Sequence, residues 1–497
     1  MSITGAGSIT AANIAAVNNM NNQLNTLSEE LSTGDAAQTY SGLGSQAGVA
    51  LALGAQLSAI SGYSGTASTV GTTLSIAQSV LTQLGDSGST VAQSISEQGA
   101  FTLDGTGQTS TQQAAAGQLG EILSLLNTQV GGNYIFSGSA LNQPSVASTS
   151  AILNGNGAQA GLTQIISERQ QADLGANGLG RLTVGGTGSN VTLTQDGTPF
   201  GFQIASVNSS LTGATVSGSP PAMSVNLGSN PNAGDTIAFN LTLPDGSSQT
   251  ITLQAITDSP PGANQFTIGA NTTATAANLQ TALTSAITSL AQTALPAASA
   301  IEAANNFFSS RPPQRVAGPP FDTATSLVNG TSANTVFWYT GGSGATPARQ
   351  TATAQVGPST TVAYGMQANE QAISSLVANV AVLAATTYSA SDPNAQASYQ
   401  ALNQEVATNL SGQSGTQSIS DIEADLANAQ TTIQTATNLN TQTQTTLQNM
   451  MQNIDGVNQD QIGEQILTLQ NSLSASLSVT ARLAQLSLVN YLAPSTG

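Results

Sequence analysis

Residues 419 to 457 place Ile419, Ile422, Leu426, Ala429, Ile433, Ala436, Leu447, Met450, Ile454 and Val457 on one heptad stripe, with Asn440 and Thr443 as its only polar members. Apolar side chains at alternating steps of three and four mark the seam of a coiled coil, and a seam this narrow is not stable alone in water. Whatever else the chain does, it must supply this helix with a partner.

Further stripes occur at both ends. Val17, Met20, Leu24, Leu27 and Leu31 form one, with Gly34 after "EELSTG" as a C-cap. A longer one runs from Leu53 through Ile60, Tyr63, Ala67, Val70, Leu74, Ala77, Leu81, Leu84 and Val91 to Ile95, interrupted by Gly62, Gly65, Gly71 and Gly85. Each glycine costs up to about 1 kcal/mol relative to Ala in a helix interior, so this helix needs neighbours. A third helix follows "FTLDGTGQTS", a turn, and runs through Leu119, Ile122, Leu123, Leu126 and Val130 to Gly131 and Gly132. The last helix carries Ile462, Ile466, Leu469, Leu473 and Leu477, then the apolar ending "ASLSVTARLAQLSLVNYLAPSTG". Chain ends are usually polar and frayed, so Leu483, Leu486 and Leu492 imply that packing within an assembly orders this one.

Between the ends the texture changes to period two: "NVTLTQ", "FGFQIASV", "AMSVNLGS", "DTIAFNLTLPDG", "QTITLQAITD" and "NQFTIGA", with "LPDGS" as a hairpin turn and "TATAANLQTALTSAITSLAQTAL" as an interrupting helix. The reading is an α+β fold: N- and C-terminal helices paired as a long coiled-coil core, with a β-rich central insert. The expected divisions are a helical segment at 1–180, a surface-exposed β-rich insert at 181–345 and a second helical segment at 346–497.

Charge excludes several functions. Six Arg, no Lys and no His stand against 24 acidic residues, giving a formal net charge of -18. Six scattered Arg do not make a nucleic-acid groove. Without Cys or His there are no disulfides, no thiolate sites and no imidazole base or ligand. Charged residues are 6 % of the chain, which favours self-association. "MSITGAGSITAANIAAVNNM" lacks the basic and apolar regions of a secretory signal peptide, and no apolar run is read as approaching the roughly 20 residues that span a bilayer.

The chemical motifs read as structure. "GLGSQAG" and "GANGLG" lack the spacing of a phosphate loop, and without Lys no Walker loop is possible. Asp455 and Asp460 lack EF-hand spacing, while Asp421, Glu423 and Asp425 suit a helix start. "FFSSRPPQR" reads as a loop anchored by Phe307 and Phe308, with Arg311 and Arg315 too few for a polyanion. "NSS", "NLT", "NTT" and "NGT" match the Asn acceptor sequon, which chance explains in so Asn- and Thr-rich a chain. No catalytic residue, metal ligand or cofactor-binding residue is assigned, and the chain is read as no enzyme.

Four segments in order, "NNQLNTLSEELSTG", "GGNYIFSGSALNQPSV", "ISERQQADLGANGLGRL" and "SLSASLSVTARLAQLSLVNYL", resemble the bacterial flagellin family, which includes filament flagellin and the hook-filament junction protein, hook-associated protein 3. The resemblance covers roughly residues 1 to 180 and 350 to 492. The ending lacks the Gln-rich, Arg-terminated form of many filament flagellins, and "YIFSG" and "LSLVNYL" lean towards the junction protein. It implies a self-assembling axial subunit contributing to motility, exported unfolded, extracellular in the flagellum, with its terminal helices stacked in the tube core. The partners it implies are copies of the chain in a helical polymer, other axial proteins including hook-associated proteins, and an export chaperone, with no nucleic acid and no membrane insertion. The expected assembly residues are Val17, Leu24, Leu27, Leu31, Leu473, Leu477, Leu483, Leu486 and Leu492. A cell-surface adhesin with a helical stalk is the alternative on the residues alone.

Overall fold

The computed structural model describes the backbone of residues 4–97, 100–412 and 415–491, and side chains from 11 to 485 within those ranges. In chain order the elements are α1 (Thr4–Thr33), α2 (Ala47–Ser96), α3 (Ser110–Leu126), β1 (Gln129–Val130), β2 (Asn133–Tyr134), α4 (Thr149–Asn154) and α5 (Leu162–Leu174). Next come β3 (Leu182–Gly185), β4 (Asn190–Gln195), β5 (Gln203–Ser209), β6 (Ala214–Ser219), β7 (Ala222–Leu227), β8 (Thr236–Thr242), β9 (Ser248–Ile256) and β10 (Gln265–Thr267). The remainder is α6 (Thr272–Gln292), α7 (Ala294–Phe308), β11 (Gln314–Val316), β12 (Leu327–Asn329), β13 (Thr353–Gln355), β14 (Thr361–Ala363), α8 (Gln371–Ala385), α9 (Ala395–Leu410), α10 (Ile419–Asp455) and α11 (Gln459–Tyr491). The expected α+β arrangement, long helices at both ends and β structure between, is what the chain adopts.

Two compact units form. One gathers Met1–Thr69, Ala354–Val362 and Thr431–Gly497; the other gathers Val70–Thr353 and Ala363–Gln430.

In the larger unit the period-two segments make two four-stranded sheets, ordered β3-β4-β7-β6 and β10-β9-β8-β5, antiparallel except for the parallel pair β9–β10. Alternation holds strictly in β8, where Ile237, Phe239 and Leu241 are buried. They share a core with Leu193 and Val225 of the other sheet and with Leu279, Leu283 and Ile287, spaced by four along α6. The "LPDGS" turn joins β8 to β9: the Leu243 amide donates to the Ser247 carbonyl at 2.8 Å, and Asp245 Oδ1 accepts from the Ser247 amide and hydroxyl.

The same unit holds a helical part. α8 is buried on nearly every face, against α3, α7 and α9, as expected of a helix apolar all round. Gln112 of α3 closes a capping box with Thr109, and its Nε2 donates to the Leu383 and Thr386 carbonyls at the end of α8. One expected helix is shorter than read: α3 stops at Leu126, capped by Asn127, and Val130 falls in the hairpin β1–β2. Phe307 and Phe308 are buried as expected, but in the last turn of α7 rather than in a loop.

The expectation about membranes needs a correction. The helical stretch Tyr40–Ser96 is long and apolar enough to cross a bilayer by length and composition. Counting consecutive apolar residues missed it, because its Gly, Ser and Thr residues interrupt every run without making the stretch polar. Leu74, Leu81 and Leu84 on its stripe are fully buried within the protein, whereas only 17 % of its most apolar 18-residue segment is buried.

Two predictions come from this unit. Leu283→Ala should destabilise the β-bearing part by about 2–5 kcal/mol, the range for truncating a buried Leu, read as a lowered midpoint in chemical denaturation. The Asp104 carboxylate accepts from the Thr106 and Gln108 amides and from Thr106 Oγ1 at 2.8–2.9 Å, and these bonds, led by that from Gln108, pull its pKa from 3.8 to about 2. Because the folded value is depressed, the stabilisation is present above pH 3.8 and is lost as pH falls through about 2. Carboxyl NMR should show Asp104 titrating near 2 in the wild type and higher, though still below the ordinary value, when Thr106→Ala and Gln113→Ala remove its two side-chain donors, because the leading bond from the Gln108 amide remains.

Candidate assembly surface

In the smaller unit the two chain ends meet as a helix pair. α1 ends at Gly34, whose φ of +81° suits a residue without a Cβ. Immediately beyond, the Val457 amide donates to the Gly34 carbonyl at 3.0 Å and the Ala36 amide to the Asp455 carbonyl at 2.5 Å. This corner ties the end of α1 to the start of α11, so the helices run antiparallel. Asn458 caps α11 through Oδ1, which accepts from the Asp460 and Gln461 amides at 3.1 and 3.2 Å.

A two-helix pair covers only one line of side chains on each helix. On α1 the half-buried line is Asn13, Val17, Met20, Leu24 and Leu27, while Leu31 and Ile14 are exposed. On α11 it starts with buried Ile462 and runs through Ile466, Leu469 and Leu473 to Ser476 and Thr480. The sequence reading continued from Leu473 to Leu477. Steps of four and three lead instead to Ser476 and Thr480, leaving Leu477 beside the seam and 51 % exposed. Leu467 and Val479 are 63 % and 53 % exposed, and Leu483 is 37 % exposed. The side chain of Leu486, and Leu492 altogether, lie outside the described residues.

Of the expected assembly residues, therefore, Val17, Leu24, Leu27 and Leu473 line the intrachain seam, while Leu31, Leu477 and Leu483 face out. Among the described residues, distal α11 has polar side chains on its part-buried line and apolar ones, Leu477, Val479 and Leu483, on its exposed side. Missing from the sequence reading was the switch in which residues make the seam; strict continuation of the heptad from Ile462 would have found it.

The same unit packs Leu53, Ile60, Leu57 and Tyr63 of α2 around Leu447, Met451 and Ile454 of α10. Among the described residues, the larger unit's exposed large apolar side chains are Leu141, Leu174, Val328 and Phe337, whereas the smaller unit adds Tyr40, Val49, Leu51, Leu439 and Met450 to those on α1 and α11.

The arginines were not assigned roles from sequence. Five of the six are committed within the larger unit. Arg169 Nε donates to Asp173 Oδ2 at 2.7 Å, with Glu302 3.8 Å from Nη1. Arg181 donates to the Ala172 and Ala324 carbonyls and pairs with Asp196 at 3.1 Å. Both guanidiniums lie over the buried Phe200 ring, 5.2 and 5.6 Å from its centre. Arg315 pairs with Glu168, Arg349 with Glu370, and Arg311 stacks 4.4 Å from the Tyr339 ring centre. The "GANGLG" loop serves the same network: Gly180 has φ +61°, and a Cβ there would lie 2.3 Å from the Phe202 ring. The i, i+4 spacing of Arg169 and Asp173 was a legible signal; the pair Glu168–Arg315, 147 residues apart in sequence, was not. Among the described residues no three His, Cys, Asp or Glu side chains gather as a metal site.

Chain ends that meet as an antiparallel helix pair, with apolar side chains left over outside the seam, define a structural, helix-packing protein. Residues 8–141 match the family model of the bacterial flagellin N-terminal helical region, which supports the resemblance to the bacterial flagellin family read from the sequence. A comparison with curated proteins found no match.

Removing Arg169 tests the buried network. Arg169→Leu leaves Asp173, which is fully buried, without its cation and should cost about 3–5 kcal/mol; Arg169→Leu combined with Asp173→Leu should recover most of that loss in the same denaturation experiment.

Proposed function

We propose that this chain is an axial subunit of the bacterial flagellum, a filament flagellin or the hook-filament junction protein, that self-assembles through α1 and α11 into a helical polymer outside the cell and contributes to motility. One observation carries the reading: α11 turns Ser476 and Thr480 to its intrachain partner and leaves Leu477, Val479 and Leu483 exposed. Apolar side chains in that position gain free energy only from a surface outside the chain, at about 25 cal/mol per Å² covered. The occupant is another copy, and at the ends of a filament other axial proteins, hook-associated proteins among them. Before assembly the same side chains need shielding, which an export chaperone would provide. The role is structural rather than catalytic. The commitment of Arg169, Arg181, Arg311, Arg315 and Arg349 to internal contacts argues against nucleic acid as a partner. The packing of Leu53 and Ile60 of α2 on Leu447 of α10 favours helix packing over membrane insertion.

Leu477→Asp and Leu483→Asp test the surface. Both side chains are exposed in the single chain, so the monomer's melting should shift by no more than about 0.5 kcal/mol equivalent, while sedimentable polymer disappears because a charge is buried at every repeated contact. Wild-type polymer yield for both variants would remove the proposal. Immunogold labelling along the filament, or only at its base, separates filament from junction subunit.

A further inference from the structure

α10 must find one alignment with its neighbours, and its stripe gives little help. Ile433 and Leu447, both buried, lie one heptad to either side of Asn440, so a helix shifted by seven residues would put an apolar side chain in the place of Asn440. Asn440 breaks the repeat. It is 1 % exposed, and its Nδ2 donates to the Val356 carbonyl at 2.9 Å.

Val356 belongs to a short hairpin, Ala354–Val362, that gathers with α10 in the smaller unit. The hairpin closes on itself: the Val356 amide donates to the Thr360 carbonyl at 2.9 Å, and Gln355 Nε2 to the Pro358 carbonyl at 3.2 Å. Val356 is fully buried, so water does not replace a lost partner at its carbonyl.

We propose that Asn440 sets the register of α10, with the Val356 carbonyl as its receptor. A shift of one heptad in either direction replaces Asn440 by Ile433 or Leu447, neither of which can donate, and leaves the Val356 carbonyl buried without a donor. The same shift carries the Asn440 amide into the place of Ile433 or Leu447, both buried, the latter among Leu53, Leu57 and Ile60. Both errors arise together, so the native alignment is favoured over its heptad neighbours although the apolar contacts barely distinguish them. Asn440 is a positioning residue, and the inference concerns the single chain, independent of whether it polymerises.

The chain has no cysteine, so introduced thiols report alignment without background. A short thiol-reactive linker should join Gly54→Cys to Met451→Cys, whose native residues are neighbours, and not Gly54→Cys to Gln444→Cys, one heptad away. In Asn440→Leu the second pair should also cross-link, at a tenth or more of the first, and amide exchange at Val356 should accelerate about tenfold or more, while the melting temperature does not fall. Asn440→Ala, which has no donor and no polar group to misplace, should show the same two cross-links and serves if the Leu variant fails to fold. A single cross-linked register in both variants, or a fall in melting temperature without a second register, would overturn the proposal and leave Asn440 as an ordinary buried hydrogen bond.

Discussion

A helix with one apolar line needs one partner, and a helix with apolar side chains beyond that line needs more than one. The rest of this structure depends on that geometric constraint. α2 and α10 are covered on their stripes by residues of the same chain, as the burial of Leu53, Ile60 and Leu447 shows. Among the described residues α1 and α11 pack chiefly against each other, and a pair of helices cannot enclose a core. None of the described side chains of α1 is fully buried, and on α11 only Ile462 is. The chain ends are therefore the least covered part of the molecule. They carry the same kind of side chain as its well-buried helices.

Charge poverty fits this division. A chain with 6 % charged residues offers few ion pairs to hold exposed helices, and five of its six cations are spent in the larger unit. Arg169 and Arg181 stack on Phe200 and fasten α5, the 175–181 loop and the segment near Ala324 to one another. With so little charge to distribute, the larger unit places it where it is buried and directional, and Arg169, Arg181, Arg315 and Arg349 also donate to backbone carbonyls. The smaller unit relies on apolar stripes and on one buried amide, Asn440.

How much of this was legible follows from the range of each interaction. Heptad stripes, the period-two strands and the "LPDGS" turn are local patterns, and they located α1, α2, α10, α11 and the two sheets. α7 went unread because "ALPAASAIEAANNFF" is small and apolar on most faces, so it has no period to detect; burial on almost all sides is the reason for that composition. The arginine network joins residues up to 147 positions apart, beyond any window. On α11 the stripe itself was seen, but two neighbouring lines were merged into one: Leu477 lies one position from Ser476, and only packing against α1 decides which is the seam.

That last distinction sets how ordering and association are coupled. If Leu477 and Leu483 had lain on the intrachain seam, the α1–α11 pair would be tighter alone and would present a polar outer face, leaving little free energy for a second contact. With Ser476 and Thr480 inside, the pair is weak in isolation, and burial of the outer leucines adds its stabilisation only when another surface arrives. Binding that is available to the ordered helix and not to the frayed one stabilises the ordered form by mass action. Helix nucleation is costly and propagation cheap, so a short anchored segment at the Gly34–Val457 corner is enough to start both helices. If the chain assembles as proposed, the placement of two hydroxyl side chains on the inner line would move much of the free energy of folding these ends from the single chain to the contact between chains.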